Sequence, residues 1–177
     1  MESRRDERAV TVQIGAVLLL AIVFTALALY QVNVVPAENS AVEYEHNRQV
    51  HGEMHELRNA IKNVGTSGGS ESVSITLGTQ YPTRTFSMNP SAPSGTLETT
   101  GVSEITLENV DVTDSTESYE RTGNPVTASE LEATFNGAHH TTTLRYSPEY
   151  NEYRDAPETL IEHGFAYNDF SDAQVSL

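Results

Sequence analysis

Apolar and polar positions fall into three regimes along this chain. From Ala9 to Ala37 there is no Asp, Glu, Lys or Arg; Arg8 precedes the stretch and Glu38 follows it. Its centre, Ala16 to Tyr30 (AVLLLAIVFTALALY), is interrupted only by Thr25. As a helix, Ile14 to Val35 extends roughly 33 Å, enough to cross the hydrocarbon core of a bilayer. A helix is the form required there, because lipid offers no partner to an unpaired backbone group. In the second regime the apolar residues are Val50, Met54, Leu57, Ile61 and Val64, alternating steps of four and three. This is a narrow helical stripe, reaching back less cleanly through Val42 and His46. Beyond Gly65-Thr66-Ser67-Gly68-Gly69 the period drops to two, the rhythm of half-buried strands.

The elements follow from these rhythms. Pro36 is expected to kink or end the first helix, with Asn39 and Ser40 as caps for the next. Strands are expected at Val73-Ile75-Leu77, at Ile105-Leu107 and onward to Val112, and at Leu131-Ala133-Phe135. The last leads into Asn136-Gly137, a two-residue hairpin signal, with a return strand over Thr141 to Tyr146. Leu160-Ile161 and Phe165-Ala166-Tyr167 offer further strands. Asn89-Pro90-Ser91-Ala92-Pro93-Ser94-Gly95 reads as a loop. The fold class is therefore α+β: a long N-terminal transmembrane or spine helix, then an antiparallel β domain, as an open sheet or a sandwich. The expected divisions are a leader over 1–9, an apolar helix over 10–35, an amphipathic helix over 36–64, a Gly/Ser linker over 65–71 and a β domain over 72–177. The alternation still running at Gln174-Val175-Ser176-Leu177 reads as a sheet cut short.

Charge sharpens this picture. The chain holds 10 Lys and Arg against 25 Asp and Glu, a formal charge of −15. Residues 1–9 carry Arg4, Arg5 and Arg8 against Glu2, Asp6 and Glu7, so the segment after the helix holds the whole excess. The three arginines ahead of the helix, with none following until Arg48, orient it with the N-terminus in the cytoplasm. An outer domain this acidic repels phosphate backbones, which excludes nucleic acid as a partner. A surface so charged is tolerable in concentrated salt and points to a halophile. There is no Cys, so no disulfide staples the outer domain.

Arg8-Ala9-Val10, opening onto Ile14-Gly15-Ala16-Val17-Leu18-Leu19, resembles the processing site of archaeal type IV pilin-like precursors, which carry class III signal peptides. The resemblance implies a prepilin peptidase-like enzyme that cuts on the cytoplasmic side, with Arg8 as the basic position, Ala9 as the last residue removed and Val10 as the new N-terminus. That family often has Ser-Pro shortly after the cut, where this chain has Thr11-Val12-Gln13. It further implies a helix that rests in the lipid bilayer or packs against copies of itself or related pilins in a filament. Gly15, Ala16, Ala21 and Ala26 are small residues that permit such close approach. The segments Leu77 to Thr85 (LGTQYPTRT) and Arg145 to Tyr153 (RYSPEYNEY) are also similar to an uncharacterised family of haloarchaeal surface proteins with this pilin-like start.

Candidate chemistry is sparse. His51 and His55 lie one turn apart on the second helix with Glu53 between them, the weak outline of a zinc site. The order H-G-E-M-H displaces the Glu from the general-base position of H-E-x-x-H, and no third ligand stands out. No metal or other cofactor is expected. Tyr146, Tyr150 and Tyr153, near Arg145 and Arg154, form the densest aromatic group, read first as packing and second as a ligand platform. No G-x-S-x-G elbow, phosphate loop or Cys nucleophile occurs, so no catalytic residue is assigned. The functional expectation is a pilin-like surface protein, as a filament subunit or minor pilin. The alternatives are a signal-anchored extracellular binding module that never polymerises and, last, a fragment of a surface hydrolase.

Overall fold

A computed structural model describes residues 3–113, 119–121 and 124–177. Two α-helices joined by a π-helical turn make one continuous rod: α1 Ser3–Leu29, the turn Tyr30–Val34, and α2 Val35–Ser67. From Val10 to Ser67 the rod holds 58 residues, about 87 Å at 1.5 Å per residue. Pro36 explains the turn. It has no N–H, and its ring crowds the carbonyl four residues back, so the helix widens just ahead of it instead of breaking. The Val35 N–H reaches back to the Tyr30 carbonyl, and the Asn33 side-chain amide donates to the Leu29 carbonyl at 2.9 Å. Asn39 and Ser40 are therefore not caps: they lie inside α2, and Asn39 is fully buried. The helix also runs through Gly65, to end at Ser67 with Gly68 at φ 71°.

The strands in chain order are β1 Ser94–Thr99, β2 Ser103–Leu107, β3 Tyr119–Arg121, β4 Asn124–Val126, β5 Gly137–Thr141, β6 Leu144–Glu149, β7 Glu158–Glu162, β8 Phe165–Phe170 and β9 Ala173–Ser176. Helix α3, Ala128–Phe135, lies between β4 and β5. Five strands form an antiparallel sheet in the order β1-β6-β7-β8-β9, and α2 packs against it at β7 and β8. The core is the layer between them: Val50 and Met54 from the helix meet Tyr146, Ile161 and Ala166 from the sheet. Leu57, Ile75, Leu97, Leu144 and Leu177 border it. Fold class α+β thus stands, with an open sheet backed by one helix. The β7–β8 connection is two residues, His163 and Gly164, both at positive φ, as a hairpin matched to the twist of its strands requires. Gly95 in β1 is held to glycine by a close approach, since a Cβ there would lie 2.5 Å from Cε2 of Tyr146.

Two expected strands are different structures. Val73 to Leu77 belongs to no strand. Its backbone is held by the helix: Glu53 accepts from the Thr76 N–H at 2.6 Å and from the Thr76 hydroxyl at 2.9 Å. Leu131 to Phe135 is helical, as α3. Thr127 and Glu130 close a capping box at its start, and its C-terminal residue is followed by Asn136, whose side chain both accepts from the Val110 N–H and donates to the Val110 carbonyl. Gly137, at φ 126°, opens β5 instead of turning a hairpin. Ribbon β2–β5 carries the chain away from the sheet, continuing the β1–β6 pair through Thr100 and Thr143, whose backbones bond at 2.9 Å.

Candidate functional site

Two features stand out from the residues upward: a bare apolar rod, and a polar clamp that fixes the sheet to its upper half. Every residue of α1 from Val10 onward is exposed, including Val17, Leu18, Leu19, Leu20, Ile22 and Phe24. Among the described residues no part of the β domain covers it. This one helix is long and apolar enough to cross a membrane. Its polar Thr25 is satisfied within the helix, donating to the Ala21 carbonyl at 2.8 Å. Gly15, Ala16, Ala21 and Ala26 share this bare surface, and a Cβ added at Gly15 would meet nothing within 4 Å. Arg8, Ala9 and Val10 lie within α1, so the expected cleavage point is helical; residues 1 and 2 of the expected leader lie outside the described residues.

The clamp begins where α2 meets the domain. Its buried positions are Val35, Asn39, Glu43, His46, Asn47, Val50, Met54 and Ala60, a stripe whose first half is mostly polar. Glu43 has no exposed surface. Its Oε1 accepts from the Tyr81 hydroxyl in a short bond and from the Asn151 N–H at 2.8 Å. Its Oε2 accepts from the N–H groups of Glu152 and Tyr153 at 2.9 and 2.6 Å. Three successive amides thus converge on one carboxylate, and this arrangement offsets the cost of burying it. Burial and the Glu43 bond push the Tyr81 hydroxyl up to about 12. His46 Nε2 donates to the Thr76 carbonyl at 3.0 Å, and its Nδ1 meets the Tyr150 hydroxyl at 2.7 Å.

A second polar group ties the top of the clamp to the π-helical turn. Arg84 bonds to Glu38, to Asn39 Oδ1 at 3.0 Å, to Asn89 Oδ1 at 2.8 Å and to the Tyr30 hydroxyl at 3.3 Å. Gln31 holds the backbone of Met88 at both ends, donating to its carbonyl at 2.8 Å and accepting from its N–H at 3.0 Å.

The three tyrosines serve the clamp. Tyr146 is fully buried in the core, Tyr150 stacks on Tyr153, and Tyr153 meets Tyr44 of α2 edge to face. His51 and His55 are both half-buried on α2. His51 Nδ1 lies 3.5 Å from the Asn168 amide, and burial, then the neighbouring His55, lower its pKa. Among the described residues no group of three or more His, Asp or Glu is placed to hold a metal. A depression of about 600 Å³ beside Arg154 is lined by Asp155, Glu158, Asp169 and Asp172. Such a surface disfavours anions.

Sequence reasoning found the bare helix and the stripe through Val50, Met54 and Leu57; further on, Ile61 is 44% exposed and Ala60 is the buried residue, and Glu43, Asn39 and Arg84 were missed. Their signal lay in plain view: polar residues at Asn39, Glu43 and His46 continue the four-and-three spacing of the apolar stripe.

No family model matches the chain. Over 93 residues it is 37% identical to an uncharacterized protein of Archaeoglobus fulgidus, a match covering 52% of this chain and 16% of that relative. The chain thus matches only a small part of that relative's length. No solved structure matches.

Proposed function

We propose that this is a membrane-anchored, pilin-like archaeal surface protein. Helix α1 crosses the membrane with its N-terminus in the cytoplasm, and α2 carries the acidic β domain outside the cell. The observation that carries the reading is the uncovered rod: the 16 apolar residues of α1 between Val10 and Leu29 stand free of the domain, yet the rod continues into the helix that forms half its core. The clamp of Glu43, His46 and Arg84 supports it, because it makes rod and sheet one body, as a subunit assembling through its N-terminal helix requires. The archaeal relative supports the archaeal setting. In this reading a prepilin peptidase-like enzyme removes residues 1–9, and the small residues Gly15, Ala16, Ala21 and Ala26 pack against copies of the same helix. The outer domain displays a surface and performs no catalysis.

The intact mass of protein extracted from membranes tests this directly. The expected chain begins at Val10, and Arg8→Ala blocks the trimming. A mature chain still carrying Met1 to Ala9, unaffected by that substitution, removes the pilin-like route and leaves a plain anchored module. Pelleting of material sheared from cells then separates filament from monomer.

A further inference from the structure

The loop between Arg84 and Asn89 combines properties that rarely occur together. It is firmly held: Gln31 grips Met88 at both backbone ends, Arg84 has only 7% of its side chain exposed, and the Asn89 amide donates to the Pro82 carbonyl at 2.8 Å. Yet its apex presents Phe86 and Met88 outward, each 82% exposed. A loop held at Arg84, Met88 and Asn89, with its two large apolar side chains left outside the core, is shaped for an apolar partner.

Position says which partner. Gln31 lies 21 residues beyond Val10, about 31 Å along the helix, which is the thickness of a bilayer hydrocarbon core. Phe86 and Met88 are thus held at the level where α1 leaves that core. The helix is itself bare near that level, with Leu29 and Val32 60% and 70% exposed. Tyr30, 40% exposed, stands at the same level and is a residue type that favours the interfacial belt.

Charge agrees. In a chain of net charge −15, the stretch from Ser72 to Leu97 contains no Asp or Glu, and its sole charge is Arg84. Glu71 and Glu98 bound it. A segment meant to touch anionic headgroups must be free of carboxylates, because the surface potential of such a leaflet repels them. Nothing in the clamp itself demands this gap.

We propose that the Arg84–Asn89 loop is an interfacial foot, in which Phe86 and Met88 insert among the lipids surrounding the outer end of α1. The foot fixes the height and tilt of the rod and its domain above the bilayer. It rests on the reading of α1 as a membrane span, and the test separates the two.

The chain has no Trp, so single Trp substitutions report cleanly. Phe86→Trp marks the foot and Leu20→Trp the span. Phe165→Trp is the remote control. Its neighbour Gly164 is held by Arg58 at 2.7 Å, 27 residues along the rod from Gln31 and so about 40 Å away. Each full-length variant is reconstituted in phosphatidylcholine–phosphatidylglycerol vesicles containing lipids brominated at defined depths. The span predicts strong quenching of Leu20→Trp by deep bromines. The foot predicts that Phe86→Trp loses roughly half its emission to shallow bromines, as apolar insertion of about 5–10 Å requires. It also predicts blue-shifted emission for that variant and no quenching of Phe165→Trp. Leu20→Trp quenched with Phe86→Trp behaving like Phe165→Trp overturns the foot and leaves the span standing. Leu20→Trp unquenched overturns both. A blue-shifted but unquenched Phe86→Trp that reverts on dilution of protein in lipid assigns the loop to a second copy of the chain, and the lipid foot fails.

Discussion

The side chain on which rod and sheet depend is Glu43. Its two oxygens accept from four donors, and both partners of Oε2 are backbone N–H groups. Glu43→Gln preserves size and removes the charge, but it turns one acceptor into a donor. With Oε1 kept toward Tyr81 and Asn151, the new amide faces the N–H groups of Glu152 and Tyr153, and no rotation satisfies all four. Leaving buried donors unpaired costs on the order of 2–4 kcal/mol. Tyr81→Phe removes one donor and leaves the carboxylate three others, so about 1 kcal/mol is expected. Urea unfolding of the detergent-solubilised chain, followed by circular dichroism, checks the order of these two variants. Equal midpoints for Glu43→Gln and the parent chain would remove Glu43 from this role.

At the level of elements, much was legible where a local pattern reflects a buried face. The apolar run of α1 from Val10 onward, the stripe from Val50 through Leu57 and strand β2 follow from local pattern, and β7 and β8 from short apolar runs; the helix itself starts earlier, at Ser3, inside the expected leader. The upper half of the α2 stripe does not follow from local pattern. Asn39, Glu43 and His46 are buried because loops 30 to more than 100 residues away in sequence bring them partners, and no local window contains those loops. The region before Asn136 fails for another reason. Leu131, Ala133 and Phe135 alternate like a strand and Asn-Gly is a strong hairpin signal, but Thr127-Ala-Ser-Glu130 is a capping box. That box starts a helix in which the same three residues can also sit. Two local signals conflicted and the cap prevailed. The cap is therefore testable: Thr127→Ala removes the hydroxyl that accepts from the Glu130 N–H. The expected cost is about 1 kcal/mol, seen as faster amide exchange confined to α3, with β7 and β8 unchanged. Uniformly faster exchange across the sheet would show that α3 is not the separate unit its place on the β2–β5 ribbon implies.

For the whole molecule, the titrating groups define a window of stability. Partial burial raises the Glu53 pKa, but the hydrogen bonds from Thr76 and Gln49 outweigh it and hold Glu53 below the usual carboxylate value. Bonds from Tyr167 and Thr143 do the same for Glu162. A carboxylate whose folded pKa is depressed adds stability above its unfolded value, about 4.3, and loses it as pH falls further. His51, lowered by burial and by His55, likewise adds stability above about 6.5 and loses it below. Tyr81 works in the other direction. It is pushed up to about 12, whereas an unfolded tyrosine ionises near 10, so its contribution holds below about 10 and disappears as pH rises toward 12. Thermal unfolding at high salt is expected to show a plateau between about pH 7 and 9.5, with a shallow decline from His51, a steeper one below about 4.3 and an alkaline decline above 10. A flat profile from pH 3 to 7 would contradict the hydrogen-bonding roles of Glu53 and Glu162.

Salt acts on a different quantity, the repulsion among carboxylates that have no cation nearby. The ion pairs among the described residues join Arg48 to Glu45, Arg84 to Glu38, and Arg145 to Glu98 and Glu158. Most are exposed and contribute little. They leave the larger part of an excess of −15 spread over one modest sheet with a thin core. At about 10 mM salt the screening length is about 30 Å, comparable to the whole domain, and every carboxylate feels the others; at 1 M it is about 3 Å and only neighbours interact. Adding salt therefore removes a destabilising energy without changing a single contact. The β domain is expected to melt at a temperature that climbs steadily from about 10 mM to 1 M NaCl. Sodium sulfate strengthens apolar burial as well, so it must outperform NaCl of equal ionic strength if the thin core also limits stability. Glu43→Gln sharpens the assignment. Its cost is a local hydrogen-bonding defect inside a dry clamp, so it should lower the melting temperature by the same amount at both ends of the salt range. A defect that shrinks as salt rises would instead make Glu43 one more member of the repelling surface.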